Sequence, residues 1–579
     1  MRVPDASSLV CASLIWLAGS VANAAMSVNL QPSVPSPATV GTVVTWWVPV
    51  SDADDGALWY RFRSRRIGWG YQVVRDFSPL DSLDWTAADY DGNFELEVTV
   101  RNLATGETVV ATAPYTLKSN ALGGRPVVSP TAHPLVFLYS APPCDAGSRM
   151  RVEFQSPQGL VQSTPYHPCV SGSSINFYLA GMLPESQYSV HHVIDTGDRF
   201  VNGPALSLTT GTAQELVETT VMQPAPPGST NPIVLQSALF TYPFATDLNG
   251  NVVWYYPQIL GSLTRPAAQG YFLGFPPAGD RLMEFDLTGL TVKETNVDRV
   301  NEQLAAIGAP SITAFHHEVR RLRDGKIVTL GAVEDVLTDV QGAGQVNVLG
   351  DMIIVLDEDL QVVWVWNTFD HLNTARLATL DDRCSVGVCP RTLSDSPNDW
   401  THSNGISETE DGNLLLSIRS QDWVIKIDYQ NGYGSGNILW RLGKDGDFTI
   451  QSDDPNPWFS HQHDANFEPG NPSRLMLLDN GNGRNLEDPD SHSRGQVLQL
   501  DEQTMVAKLA VNVDLGQYSF ALGSAQRLPS GNYFFNAGFL SDGGAVASEV
   551  DSQGKTAFSI HTAAPCYRTW RLPDLYTPE

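Results

Sequence analysis

The sequence predicts an all-β protein: a six-bladed β-propeller preceded by one or two β-sandwich domains of immunoglobulin or fibronectin type. Three observations carry that expectation. The first two hundred residues alternate apolar and polar positions in short runs broken by Pro, Gly and Asp, the habit of sandwich strands. After residue 213 an apolar strand that closes on Asp, a short polar turn and a second apolar strand recur six times, at Asp247, Asp286, Asp357, Asp428, Asp501 and Asp551. No helical period interrupts those repeats. A unit of this kind cannot bury both of its faces alone, and radial stacking buries them while leaving few free strand edges.

Composition sets the limits. The chain has 579 residues, 42% of them hydrophobic and 17% charged, enough to bury a large core and divide into several domains. With 63 acidic against 35 basic residues the formal charge is −28, which argues against nucleic acid or an anionic membrane as partner. An anionic substrate must therefore be drawn in by local cations.

Residues 1–24 read as a secretory signal. Arg2 precedes an apolar stretch from Leu9 to Val21, and Ala22-Asn23-Ala24 forms an A-x-A cleavage site. No other run approaches the roughly 18 apolar residues of a membrane span, so a periplasmic or secreted protein is expected, free of the membrane after cleavage. In an oxidising compartment the expected pairs are Cys144 with Cys169 and Cys384 with Cys389, leaving Cys566 over. Neither pair has the CxxC spacing of a metal site.

Residues 25–118 carry strand runs such as TVVTWWVPV, ALWYRFRSR and GNFELEVTVRNL, and are assigned to a β-sandwich. Residues 124–212 form a second, fibronectin-like unit, in which His191 and His192 alternate with valines and read as structural. A Pro-rich joint, Pro224 to Gly228, lies near the start of the propeller, assigned to 213–579. The six repeat aspartates are expected to form turns rather than to bind ligands. Trp254, Trp364 and Trp440 occupy one position of the strands that follow them.

Within the propeller one local pattern appears three times: His, an acidic or small residue, a turn, an apolar strand. The copies are His317-Glu318, His402-Ser403 and His463-Asp464. Equivalent repeat positions should bring the three imidazoles to one mouth of the channel. His317 is preferred to His316, which strand alternation would turn to the opposite face. Asn404 follows His402 by two, and Arg419 ends the next strand, so an amide and a guanidinium join the imidazoles as a set suited to a tetrahedral oxyanion. Ser524 near the start of the last blade reads as a structural hydroxyl, and Asp479 to Gly483 as a tight turn, not a calcium loop.

The motifs HHE (316–318), DWTHSN (399–404), SIR (417–419), WRLGKDGDF (440–448), QHDA (462–465) and DNGNGR (479–484), in that order, resemble the bacterial arylsulfate sulfotransferases. The resemblance covers most of the propeller. It implies a periplasmic propeller that moves a sulfuryl group from an aryl sulfate to a phenol without an adenylated donor and without a cofactor or metal. It also implies a transiently sulfated histidine at the position of His463, with His317 or His316, His402, Asn404 and Arg419 as the other matched site residues. The partners so implied are small aryl sulfates and phenols, with a homodimer open. Three other readings stand beside it: a metal-dependent hydrolase or lyase using His317, His402 and His463, a non-catalytic binding propeller, and a hydrolytic sulfatase. The last lacks its Cys/Ser-x-Pro-x-Arg motif.

Overall fold

The computed structural model describes residues 25–264, 266–384 and 389–577. The signal assigned to residues 1–24 lies outside them. Among the described residues no helix is long and apolar enough to cross a membrane.

Six four-stranded antiparallel sheets follow one another around a common axis. The second blade runs from Ser262–Leu263 to Thr291–Asn296, the third from Phe315–Arg321 to Val362–Asn367 and the fourth from Ser403–Glu408 to Ile438–Gly443. The fifth runs from His463–Glu468 to Val506–Asp514, and the sixth from Ala521–Arg527 to Thr556–Thr562. The first blade is composite. It takes Ile233–Ala238, Phe244–Thr246 and Val252–Tyr255 from the start of the propeller and its innermost strand, Cys566–Leu572, from the end of the chain. A second closure works in the opposite sense, because Thr219–Gln223 adds a fifth strand to the outer edge of the sixth blade. Both closures hide strand edges that would otherwise be free to pair.

Apolar side chains fill each gap between neighbouring blades. Leu235 and Trp570 of the first blade meet Leu263 and Phe285 of the second, and the series continues round to Phe534 and Phe558 of the sixth, which pack on Val234 of the first. Each repeat aspartate accepts a backbone N–H from the turn after it, as with Asn249 N–H on Asp247, Asp359 N–H on Asp357 and Gln553 N–H on Asp551. The repeat read in the sequence is the hairpin between the third and fourth strands of every blade.

Two features depart from the sequence expectation. A ten-residue helix, Val297–Ala306, does interrupt the repeats; Asn296 caps it by accepting from Arg299 N–H, and Val300 and Leu304 are buried against the second and third blades. Its short apolar stripe is too brief to stand out among strand runs. The second blade is also continuous with the first sandwich, since Gln72–Ser78 pairs in parallel with Thr291–Asn296. Salt bridges of Arg75 to Glu294 (2.9 Å) and Arg299 to Asp76 (3.1 Å) cross that seam.

The sandwich strands are fibronectin-like in arrangement. In the second unit, Val127–Pro130, Phe137–Ala141 and Ile175–Leu179 form one sheet, facing a second sheet built around Arg149–Gln155 and Gln187–Asp195. His192 is buried with its Nδ1 2.8 Å from the Tyr139 hydroxyl, a structural contact. Cys144–Cys169 and Cys384–Cys389 are disulfides and Cys566 is a buried thiol.

On the closing strand, Arg571 is buried between Glu549 (2.9 Å) and the carbonyl of Asn231 (2.6 Å). Replacing Arg571 by Met strands the Glu549 carboxylate, and a chemical denaturation curve should show a loss of about 3 kcal/mol.

Candidate active site

The inner strands are not regular where the site forms. His317 (φ 55°), His402 (φ 46°), Asp464 (φ 52°) and Leu522 (φ 63°) all sit in the left-handed region, at or beside the start of the inner strands of blades three to six. Bulges interrupt the ladder between His316 and Val319 and between His463 and Asn466. A bulge re-aims the side chains beside it, and non-glycine residues in this region persist only where packing holds them there.

One consequence corrects the expectation for His316. The bulge cancels the alternation that would have sent His316 and His317 to opposite faces, and their Nδ1 atoms lie 2.7 Å apart, one donating to the other. The Nε2 of His316 lies 3.2 Å from Asp351, whose other oxygen accepts from Thr401 Oγ1 and Ser403 N–H. Burial opposes the Asp351 charge, but His316, Thr401 and Ser403 hold its pKa below the usual carboxylate range. His316 is thus the support of His317.

His317 meets the ring of His402 at 4.7 Å and that of Tyr567 at 5.7 Å. The Nδ1–H of His402 donates to Asp399 at 2.5 Å, so Nε2 is left for chemistry. His463 has a fixed tautomer. Asn480 gives its Nδ2 hydrogens to the carbonyls of Ser519 (2.8 Å) and Leu522 (3.0 Å), which leaves its Oδ1 to accept from His463 Nδ1–H at 2.7 Å. Nε2 therefore carries the lone pair, which accepts from Leu522 N–H at 3.2 Å. Burial, then the Arg419 charge, push the His463 pKa well below 6.5; burial, then His402, His316, His463 and Arg419, do the same to His317. His463 and Arg419 thus lie within electrostatic range of His317, which itself meets His402.

Arg419 follows the second strand of blade four, with one guanidinium nitrogen 3.4 Å from Asp382. Asn404 is buried between blades four and five; its Nδ2 donates to the Gln462 carbonyl at 2.7 Å, and its Oδ1 has no partner. Ser524 bonds the backbone of Thr569 and is structural. Asp479 pairs with Arg484 in a turn.

Several residues of the hub went unread in the sequence. Arg568, on the closing strand, lies 2.8 Å from Glu318 and 3.6 Å from Asp464. Those two acids are the second members of the recurring His-acid pairs, and that recurrence is the signal that called for a cation. His461 is buried between Asp382 (3.0 Å) and Asp422 (3.1 Å). Burial and Arg419 oppose its charge, yet the two carboxylates raise its pKa above 6.5. Asp382 thus joins His461 to Arg419.

Among the described residues the one trio of ligand atoms close enough to share an ion is Cys384, Cys389 and Asp399, and its two sulfurs are bonded to each other. The nitrogens of His317, His402 and His463 are not grouped at ligand spacing.

Fold and hub together define a six-bladed propeller with a histidine and arginine cluster on its axis. The family model described as "Arylsulfotransferase (ASST)" matches residues 217–568, more than half of the chain. The chain belongs to the arylsulfotransferase family. No curated protein matches it. Similar solved structures include the FN1–FN3 domains of chicken CNTN1 (9% identity, 33% of this chain, 68% of that one, TM-score 0.14). Another is a two-domain fibronectin type III segment of chicken tenascin (15% identity, 32% and 98%, TM-score 0.14). Scores this low bear on neither the propeller nor the site.

The imidazoles give opposite pH limbs. His317 and His463 bind protons less readily folded than unfolded, so their contribution to stability is full above about pH 6.5 and falls as the pH drops below it. His461 has the raised pKa and contributes below it, losing that contribution as pH rises through it. Melting temperatures against pH should fall on both sides of neutrality, the acid limb flattening in His317→Asn and the alkaline limb in His461→Gln.

Proposed function

We propose that the protein transfers a sulfuryl group from an aryl sulfate to a phenol in two steps through His463. The locked tautomer of His463 is the observation that carries this reading, since a neutral imidazole with its lone pair on Nε2 can attack sulfur once the substrate displaces the Leu522 N–H from it. In the first step Nε2 forms a bond to sulfur while the sulfur–oxygen bond to the aryl group breaks, and the phenolate leaves with the electron pair. That phenolate takes its proton from solvent, since His402 has its proton on Nδ1 and none on Nε2. In the second step an acceptor phenol loses its proton to His402 as its oxygen attacks sulfur, and the bond to His463 breaks. Splitting the transfer lowers each barrier.

Sulfuryl transfer, like phosphoryl transfer, spreads charge over the equatorial oxygens, so positioning and electrostatics dominate. Arg419 supplies the full positive charge. Asn404 supplies the one N–H that the Gln462 carbonyl leaves free. His317, kept neutral by burial, adds a hydrogen bond without adding charge. Asp399 orients His402 and stabilises its imidazolium, as an aspartate does in a nucleophilic triad. The secretory signal and acidic surface support a periplasmic or secreted site of action.

Release of nitrophenol from 4-nitrophenyl sulfate is expected to require an added phenol; release unaffected by phenol would mark a hydrolase and overturn the transfer. In the same assay His463→Ala should be inactive, while Arg419→Met and Asn404→Ala should each lose about 10²–10³-fold in kcat.

A further inference from the structure

Asp286 is unlike the other five repeat aspartates. All six accept turn hydrogen bonds, and in Asp286 it is Oδ1 that accepts from Thr288 N–H (2.8 Å), Thr288 Oγ1 (2.6 Å) and Leu290 N–H (3.2 Å). Only Asp286 among them is buried, because the second sandwich covers its hairpin. Asp286 lines a cavity of about 20 Å³ where both sandwiches meet the second blade. That volume holds one water-sized occupant.

The cavity wall is rich in acceptors. Asp89 of the first sandwich, His167, Asn176 and Tyr178 of the second, and Tyr271 and Asp286 of the propeller line it, and no Lys or Arg is among its described lining residues. The Asp89 carboxylate has no hydrogen bond from any described residue. The Nδ2 of Asn176 donates to the Asp89 carbonyl at 3.1 Å, which fixes the amide and leaves its buried Oδ1 as an acceptor without a donor. His167, 7% exposed, stacks on Phe177 and has no hydrogen-bond partner at either ring nitrogen among the described residues. Burial raises Asp89 and Asp286, the latter to about 6. Two carboxylates facing one small space are costly unless a positive charge balances them. A water molecule brings two hydrogens and no charge.

We propose that this cavity is a binding site for a hard divalent cation of the calcium type, held by the carboxylates of Asp89 and Asp286 and the amide oxygen of Asn176. All three ligands are oxygens, the preference of such an ion, and flexible coordination suits a site assembled from three modules. The Tyr271 and Tyr178 hydroxyls offer further oxygens. Binding would fasten both sandwiches to the propeller without touching the hub.

The test uses the full-length protein stripped with EDTA and then titrated with CaCl₂, with MgCl₂ and KCl in parallel, followed by calorimetry and thermal melting. One equivalent of Ca²⁺ should bind, and the melting temperature should rise by about 2 °C or more at saturation. Asp89→Asn should weaken binding at least about tenfold while keeping the fold and its sulfuryl-transfer rate; it is preferred because Asp286→Asn disturbs a turn. Two results would overturn the proposal: no response to CaCl₂ in the unsubstituted protein, or Ca²⁺ binding that Asp89→Asn leaves intact, which would place the ion elsewhere on an acidic surface.

Discussion

The hub depends on one buried ion cluster, Arg568 held between Glu318 and Asp464. Its guanidinium comes from the last strand of the chain, and its two acids come from the third and fifth blades. Burial works against the guanidinium charge, but the two carboxylates raise its pKa further above the usual arginine value. A cluster of this kind adds little stability relative to an apolar replacement, yet breaking it leaves stranded charge. It therefore fixes where the inner strands stand relative to one another. Arg568 also donates to the Asn404 carbonyl at 3.0 Å, beside the Tyr567 hydroxyl at 2.8 Å, so the fourth blade is held by the same strand.

With the inner strands fixed, the four imidazoles of His317, His402, His461 and His463 acquire different characters. Asn480 holds the Nδ1–H of His463, and Asp399 holds that of His402. His316 and burial keep His317 neutral. Asp382 and Asp422 favour the charged form of His461. Environment, not residue type, divides these roles. Arg419 lowers the proton affinity of His317, His461 and His463.

Much of the fold could be read from the chain because its signal is local. An apolar strand, an aspartate accepting turn amides and a second strand lie within about fifteen residues, and six copies of that unit leave a ring as the way to bury both faces. That His317 lies near His402 and His463 was legible for the same reason, through their equivalent places in the repeat. Non-local features were not. Arg568 lies some 250 residues from Glu318, and nothing near it in the chain announces a partner. The pairing of the first sandwich with the second blade joins residues more than 200 apart. Strand alternation misplaces His316 because a bulge undoes the period-two rule, and His461, two residues before His463, carries no repeat signal of its own. The helix at Val297–Ala306 was missed because ten residues carry too little period to rise above the strand pattern around it.

The account centres on a histidine that carries sulfur between two aromatic alcohols. The direct measurement is rapid mixing of enzyme with an aryl sulfate in the absence of acceptor, a quench that preserves the acid-labile N–S bond, and mass analysis of the intact chain and its peptides. The account predicts a mass gain of one SO₃ on the peptide containing His463, formed as fast as the first equivalent of phenol appears and lost when an acceptor phenol is added. Release of that first equivalent with the chain mass unchanged throughout would contradict it.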